Sequence, residues 1–227
     1  MIEEVTILVI NTGSFRVNMG SAVSYLNRPN YGRDLFSYAI GINMLRNSQL
    51  DHILLVNDSV YWQRGALSEF WQRARNMDSA VVSMTDSFQG SFHLQSFAFC
   101  INRPLEEVLI PFNAIKPSYM KRTLVEFGEK KLSRLWMSAS IQIDAVWRSD
   151  FLASSLHKYK RLYFDDFTKL ENLIRKSIPV NPSIHFWPIL FTEAGVLKKS
   201  LVLRNPAQFQ QVPKSLSDCR VMIEEIQ

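Results

Sequence analysis

Three short polar clusters follow apolar runs in this chain, and their side chains are of kinds that grip ligands. Asn11-Thr12-Gly13-Ser14 follows Val5 to Ile10, Asn57-Asp58-Ser59 follows Ile53 to Val56, and Thr85-Asp86-Ser87 follows Ala80 to Met84. Amide, hydroxyl and carboxylate groups side by side can donate and accept hydrogen bonds around a single negative charge. In an open α/β sheet, ligands settle outside the carboxyl ends of the strands. Parallel strands would therefore gather the three clusters on one edge. Each cluster taken singly is also an ordinary strand-end turn, because Asn, Asp, Gly and Ser are the usual turn formers. No standard signature competes with this reading: the chain has no Walker loop, dinucleotide GxGxxG, HExxH, GxSxG or CxxC. His52, His93, His157 and His185 are scattered without metal-ligand spacing.

The elements that must position these clusters can be read from hydrophobic spacing. Val5 to Ile10, His52 to Val56 and Ala80 to Met84 read as buried strands, and Gln95 to Ile101 as a strand of aromatic and small apolar residues. Arg28 to Asp34 is a loop, with Asp34 placed to cap a helix whose apolar face carries Phe36, Ile40 and Met44. Leu67, Phe70, Trp71, Ala74 and Met77 mark a second amphipathic helix. Strand, helix, strand, helix, strand over residues 35 to 101 predicts a mostly parallel sheet with crossover helices.

The second half reads as more helical. Pro104 suits a helix start, with Leu105, Val108, Leu109 and Phe112 on one face and Pro111 as a kink or stop. Lys121 to Met137 reads as a helix interrupted near Gly128, and Ile141, Ile143, Ala145 and Trp147 alternate like a strand. Leu170 and Ile174 suggest a further helix, and Ser183 a cap for one running to Gly195.

The 227 residues suit a single domain, 1–227, with a ligand-binding half at 1–102 and a more helical half at 103–227. With 47% hydrophobic and 21% charged residues, disorder is not expected. The longest apolar runs fall far short of the roughly 20 residues a bilayer crossing needs. No basic start followed by an apolar stretch marks a secretory signal. Two cysteines, Cys100 and Cys219, are too few for a disulfide framework, which predicts free thiols and a cytoplasmic setting. The formal charge of +5 permits anionic partners, yet the basic residues are dispersed, so nucleic acid is not the expected ligand.

The segments RPNYGRD, ILLVNDSVY, MTDS followed by HLQSFAF, GEKKLS, and NPSIHFWPIL with its trailing GVLKKSLVLRNP occur in a recognisable order. From about Arg28 to Pro206 the chain resembles the rhamnan synthesis protein F family. These are bacterial glycosyltransferases that help build rhamnose-containing cell-surface polysaccharide, including lipopolysaccharide. More distantly, RPNYGRDLFSYAIGI leading into LLVNDS resembles the loop, helix and strand of GT-A glycosyltransferases, which bind a nucleotide-sugar on a Rossmann-like half-sheet. The fold this implies is α/β and GT-A-like, a mostly parallel half-sheet followed by a more helical part.

The resemblance implies roles for particular residues. The strand equivalent to Ile53–Val56 usually ends in Asp-x-Asp, whose carboxylates hold Mg²⁺ or Mn²⁺ against the donor diphosphate. Here those positions carry Asn57 and Ser59, with Asp58 between them, so one carboxylate stands where two are usual. Asn57, Asp58, Ser59, Arg33 and Asn11 are the expected donor contacts, Asp58 the only expected metal ligand, and Arg28 with Arg33 an alternative source of positive charge. Glu129 and Asp86 are the candidate bases; a helix-start carboxylate and a turn cap are the plainer explanations for them. His93, Gln95 and Trp62 are the expected acceptor or sugar contacts. The reaction the resemblance implies is inverting hexosyl transfer, with rhamnose as the expected sugar, from a dTDP- or UDP-linked donor to a glycan or lipid-linked acceptor at the inner membrane face. Peripheral membrane association is compatible with the charge and the exposed aromatics. In GT-A enzymes a strand and helix usually precede the unit that VTILVINTGS resembles, and their absence here leaves a second reading open. That alternative is a catalytically impaired carbohydrate- or nucleotide-sugar-binding module with a truncated donor site.

Overall fold

The computed structural model describes residues 5–13, 23–46, 48–115, 123, 125–163, 166–210, 212–215 and 217–219. Ser14 of the first polar cluster, and residues 121, 122 and 124 of the helix expected from Lys121, lie outside them.

The chain starts with two parallel strands, β1 (Ile7–Asn11) and β2 (Val23–Asn27), paired only with each other among the described residues. They pack on α1 (Arg33–Leu45), where Gly41 lets Ile10 and Leu8 approach the helix backbone. The N-cap of α1 is Gly32 at φ 81°, a left-handed conformation that a Cβ would strain. Asp34 therefore lies inside the first turn rather than at the cap, and it makes no capping hydrogen bond.

The central sheet is built from β3 (Ile53–Val56), β5 (Val81–Ser87), β7 (Ala98–Ile101) and β8 (Ile143–Trp147), with the short β6 (His93–Leu94) extending β5. β3, β5 and β8 run in one direction, so the sheet is mostly parallel in strand direction; within residues 35 to 101 the expected crossover holds between β3 and β5 but not between β5 and β7. β7 enters between β3 and β5 in the opposite sense. No helix separates β5 from β7; residues 88–92 turn the chain back into β6, and a short return is antiparallel by necessity. Outside this sheet, β4 (Val60–Trp62) pairs antiparallel with β9 (Val196–Lys198).

Two expected boundaries move. Thr85-Asp86-Ser87 is the buried end of β5 and not a turn, because partners satisfy its polar groups inside the sheet: Thr85 Oγ1 donates to Gln95 Oε1 at 2.6 Å. The strand expected from Gln95 begins only at Ala98. Between the pairs Ser83↔Phe99 and Asp86↔Leu94, two residues of β5 (Met84, Thr85) oppose four of the return strand (Gln95 to Ala98). This bulge breaks the ladder and re-aims the backbone at Ser96.

Helices cover both faces of the sheet. α2 (Ala66–Arg75), α3 (Glu106–Asn113), α4 (Lys130–Ser138), α5 (Ser149–Ser154), α6 (Asp166–Arg175), α7 (Pro182–His185), α8 (Trp187–Ala194) and α9 (Lys199–Arg204) follow in order. A 3₁₀ segment, Leu156–Tyr163, links α5 to α6. The N-cap of α7 is Asn181, and Ser183, read from sequence as a cap, sits inside the helix and donates to Asn181 Oδ1 at 2.8 Å. Alternate residues of one strand enter different cores: Val82 and Cys100 join Phe70, Trp187 and Leu197, while Val81 and Ile101 join Leu35, Phe112 and Trp136. Both cores draw on residues before and after 102. Trp136 is fully buried, and its Nε1 donates to Val108 O at 2.9 Å. Among the described residues no helix is long and apolar enough to cross a membrane.

The interruption expected near Gly128 is a π-helical turn, Val125–Glu129, leading directly into α4. Such turns are rare and concentrate at functional sites. Gly128 is buried, and a Cβ there would stand 2.5 Å from Leu35 Cδ1 on α1. The close approach sets the distance between Glu129 and the start of α1. Gly128→Ala is expected to lower stability by about 1–3 kcal/mol through overpacking, read as a lower urea midpoint with unchanged slope.

Candidate functional site

Arg28 organises the loop that precedes α1. Its Nε donates to Ser37 Oγ (3.2 Å), Nη1 to the carbonyls of Pro29 (2.8 Å) and Tyr31 (2.5 Å), and Nη2 to Arg33 O (2.8 Å) and Ser37 Oγ (2.7 Å). A guanidinium has five N–H donors, and all five are taken up here. Arg28 is thus a staple for the loop, and not the diphosphate contact weighed from sequence. Stapling fixes Gly32 and Arg33, both at positive φ (81° and 51°), and delivers Asp34 to the end of β3.

There Asn57 Nδ2 donates to Asp34 Oδ2 at 2.8 Å. Asn57 Oδ1 accepts from the backbone N and the hydroxyl of Ser59, at 2.9 and 2.5 Å, which closes the turn on itself. Ser59 Oγ in turn accepts from Lys198 Nζ at 2.8 Å, because the β4–β9 pairing sets Lys198 opposite Val60. Lys199 N donates to Ser59 O (3.0 Å), and Lys199 Nζ lies 4.0 Å from Asp58 Oδ2. The polar triplet is a turn, as its composition suggested, and also a junction of α1, β3 and β9.

A second line of contacts runs from the bulge. The Tyr38 hydroxyl donates to Ser96 O at 3.0 Å. Glu129 Oε1 accepts from Ser96 N (2.9 Å) and Ser96 Oγ (2.6 Å), while Oε2 stands 4.0 Å from His93 Nε2. The Glu129 side chain is 16% exposed, so it reaches solvent at this point. Lys198, Ser59, Asn57 and Asp34 form one hydrogen-bonded line, Tyr38, Ser96 and Glu129 a second, and the charge of Glu129 acts on Asp34.

The electrostatics follow from this crowding. Burial pushes the Asp34 carboxyl above its ordinary range; Lys198 opposes the shift, and the negative charges of Asp58 and Glu129 reinforce it. Burial likewise holds the Tyr38 hydroxyl well above its usual value, so it stays a donor.

The residues singled out from sequence divide. Asn57, Asp58, Ser59, Arg33 and Glu129 gather here, with Arg33 charge bearing on Asp34. Asp86 does not. Its Oδ1 accepts from Ser149 N at 2.6 Å, holding the start of α5, and its charged neighbours are Asp150 and Arg148. Asn11 bonds to Gly13 and Asn27, within its own turn and strand pair. His93 is buried with Nδ1 at 2.9 Å from Ser91 O, and it meets the site only through Glu129. Gln95 is buried between Thr85 and Asn181. Trp62 is partly buried against the core and is not an open stacking face. His93 and Gln95 are interior and Trp62 partly so because the bulge and the β4–β9 pair turn them inward, which no local spacing encodes. Asp34 and Lys198 are the members that sequence reasoning missed as ligand contacts. Both lay inside segments already noted, RPNYGRD and GVLKKS, and only the pairing of β4 with β9 joins those segments.

A divalent cation does not fit this donor set. Asn57 Oδ1 and Ser59 Oγ are committed to one another, Ser59 Oγ already receives an ammonium, and Asp58 is 94% exposed beside Lys199. Among the described residues no three His, Cys, Asp or Glu side chains come together as a metal site.

Comparison with known proteins finds no family model, curated protein or solved structure that this chain matches.

The half-buried Asp34 gives a stability test. Its folded-state pKa is raised, so its contribution is most favourable below the unfolded value and is lost as pH rises through the folded one. Asp34→Asn is therefore expected to exceed the wild type in urea resistance at pH 7, with the difference shrinking as pH falls toward 4. A constant difference across that range would refute the assignment.

Proposed function

We propose that this chain is a glycosyltransferase of GT-A-like, Rossmann-like architecture, transferring a sugar from a nucleoside-diphosphate donor to a glycan or lipid-linked acceptor. The observation that carries the reading is convergence. Segments spread from Arg28 to Lys199, each part of the resemblance to rhamnan synthesis enzymes, meet at the carboxyl end of β3. That edge is where open α/β sheets take their ligands.

In this reading the acceptor hydroxyl attacks the anomeric carbon as the bond to the diphosphate breaks on the opposite face. The electron pair leaves with the nucleoside diphosphate, and the configuration inverts. Glu129 accepts the hydroxyl proton at Oε2, since Oε1 is held by the two Ser96 donors. Asp34 orients the Asn57 amide and fixes the turn beneath the donor. Asp86 takes no part as a base; it supports α5. The sugar fits rhamnose through the resemblance alone.

A panel of dTDP- and UDP-sugars with a rhamnan-type acceptor, read by release of nucleoside diphosphate, tests the proposal. Glu129→Gln is expected to reduce transfer about 10²- to 10⁴-fold, the range for loss of a general base. Asp86→Asn, which keeps an acceptor for Ser149 N, is expected to retain activity within a few-fold. Loss with Asp86→Asn and retention with Glu129→Gln would exchange their roles. The internally bonded Asn57–Ser59 turn also suits a module that binds without turnover. Nucleotide-sugar binding with no product across the panel would favour that second reading.

A further inference from the structure

Sugar transfer from a nucleoside diphosphate requires positive charge at the leaving group, and the turn after β3 holds it as ammonium. Lys198 Nζ donates to Ser59 Oγ at 2.8 Å and lies 4.5 Å from the centroid of the Phe97 ring. Lys199 Nζ lies 5.3 Å from the centroid of Tyr61 and 4.0 Å from Asp58 Oδ2. Each ammonium thus stands over an aromatic face, which offers partial compensation for a desolvated charge. The main chain fixes the pair as well, through the Val60↔Lys198 register and the bond from Lys199 N to Ser59 O at 3.0 Å.

The two ammoniums stand beside a turn whose oxygens are unsuited to a divalent cation. A metal bound by Ser59 Oγ would displace Lys198 from its acceptor and stand against its charge. Of the two arginines of the neighbouring loop, Arg28 has all five donors engaged by that loop and Arg33 bears on Asp34. A diphosphate diester carries two negative charges, and two lysines offer two point charges to them without demanding bidentate geometry, in competition with Asp34 and Asp58 for the same ammoniums.

We infer that Lys198 and Lys199 form the diphosphate-binding cation pair of this site, in the role a divalent metal plays in Asp-x-Asp enzymes. The inference deepens the sugar-transfer reading and rests on it for the identity of the ligand. It assigns the second and third positions of LKKS a function parallel to that of the turn they face, and it makes anion binding independent of chelators.

Inorganic pyrophosphate titrated calorimetrically into the full chain in EDTA provides the test. The wild type is expected to bind, Lys198→Met to bind at least tenfold more weakly, and Lys198→Arg to stay within a few-fold. Lys160→Met, a basic residue packed on Phe167 elsewhere, is expected to leave binding unchanged and so exclude a diffuse effect of the net positive charge. Unaltered melting of Lys198→Met without ligand shows that the fold is retained; if it melts early, the Lys198→Arg and Lys199→Met affinities decide. Absence of binding in EDTA, with or without its appearance on replacement by Mn²⁺, overturns the inference, as does wild-type affinity in Lys198→Met. Transfer that chelators abolish also overturns it and leaves the glycosyltransferase reading intact. Chelator-resistant pyrophosphate binding without turnover of any nucleotide-sugar does the reverse.

Discussion

Holding the Asp34 carboxylate 2.8 Å from the Asn57 amide, partly out of water, carries a desolvation cost that surrounding groups must offset. Much of the local architecture serves that contact. Arg28 saturates the carbonyls of the loop so that the chain can pass through two consecutive positive-φ residues and enter α1 with Asp34 in its first turn. The helix N-terminus favours a carboxylate there. Lys198 contributes the opposing charge from a strand more than a hundred residues away.

The bulge at residues 95–97 positions the second carboxylate. A regular antiparallel return would keep Ser96 in the ladder. The two extra residues release its N–H and hydroxyl to Glu129 and its carbonyl to Tyr38. The π-helical turn performs the matching displacement on the other side, and Gly128 permits its close approach to Leu35. Two local irregularities, each costly in isolation, thus meet at one point. Irregular backbone of this kind persists where surrounding structure determines it, and it gathers at functional sites.

The site therefore couples the half-buried Asp34 to Lys198 through short hydrogen bonds, with Glu129 acting on Asp34 by charge and Lys199 standing 4.0 Å from Asp58. Removing any one of them leaves a partner short of hydrogen bonds or charge. That coupling separates Glu129 from Asp86, two residues that look alike in sequence. Asp86 ends on a backbone N–H that starts a helix; Glu129 holds Ser96 with one oxygen and stands 4.0 Å from His93 Nε2 with the other, its side chain 16% exposed.

Hydrophobic spacing by itself determined the apolar strands, the presence of α1, α2, the interrupted helix at Gly128, and the strand at Ile143 to Trp147; on α1 the buried face is Leu35, Tyr38, Ala39 and Ile42, with Met44 of the expected Phe36, Ile40 and Met44 face exposed. Those patterns are local, repeating every two or about 3.6 residues, and burial enforces them. The resemblance lay in short polar segments, and it pointed to Asn57, Asp58, Ser59 and Glu129 without fixing how they meet. Only the tertiary structure decided that β7 returns antiparallel, that Thr85 to Ser87 stay in the sheet, and that His93, Gln95 and Trp62 face inward. It alone placed Asp34 and Lys198 on the turn. The reason is physical: these outcomes depend on strand register and on charges distant in sequence, and a segment carries no record of the partner that will satisfy its polar groups.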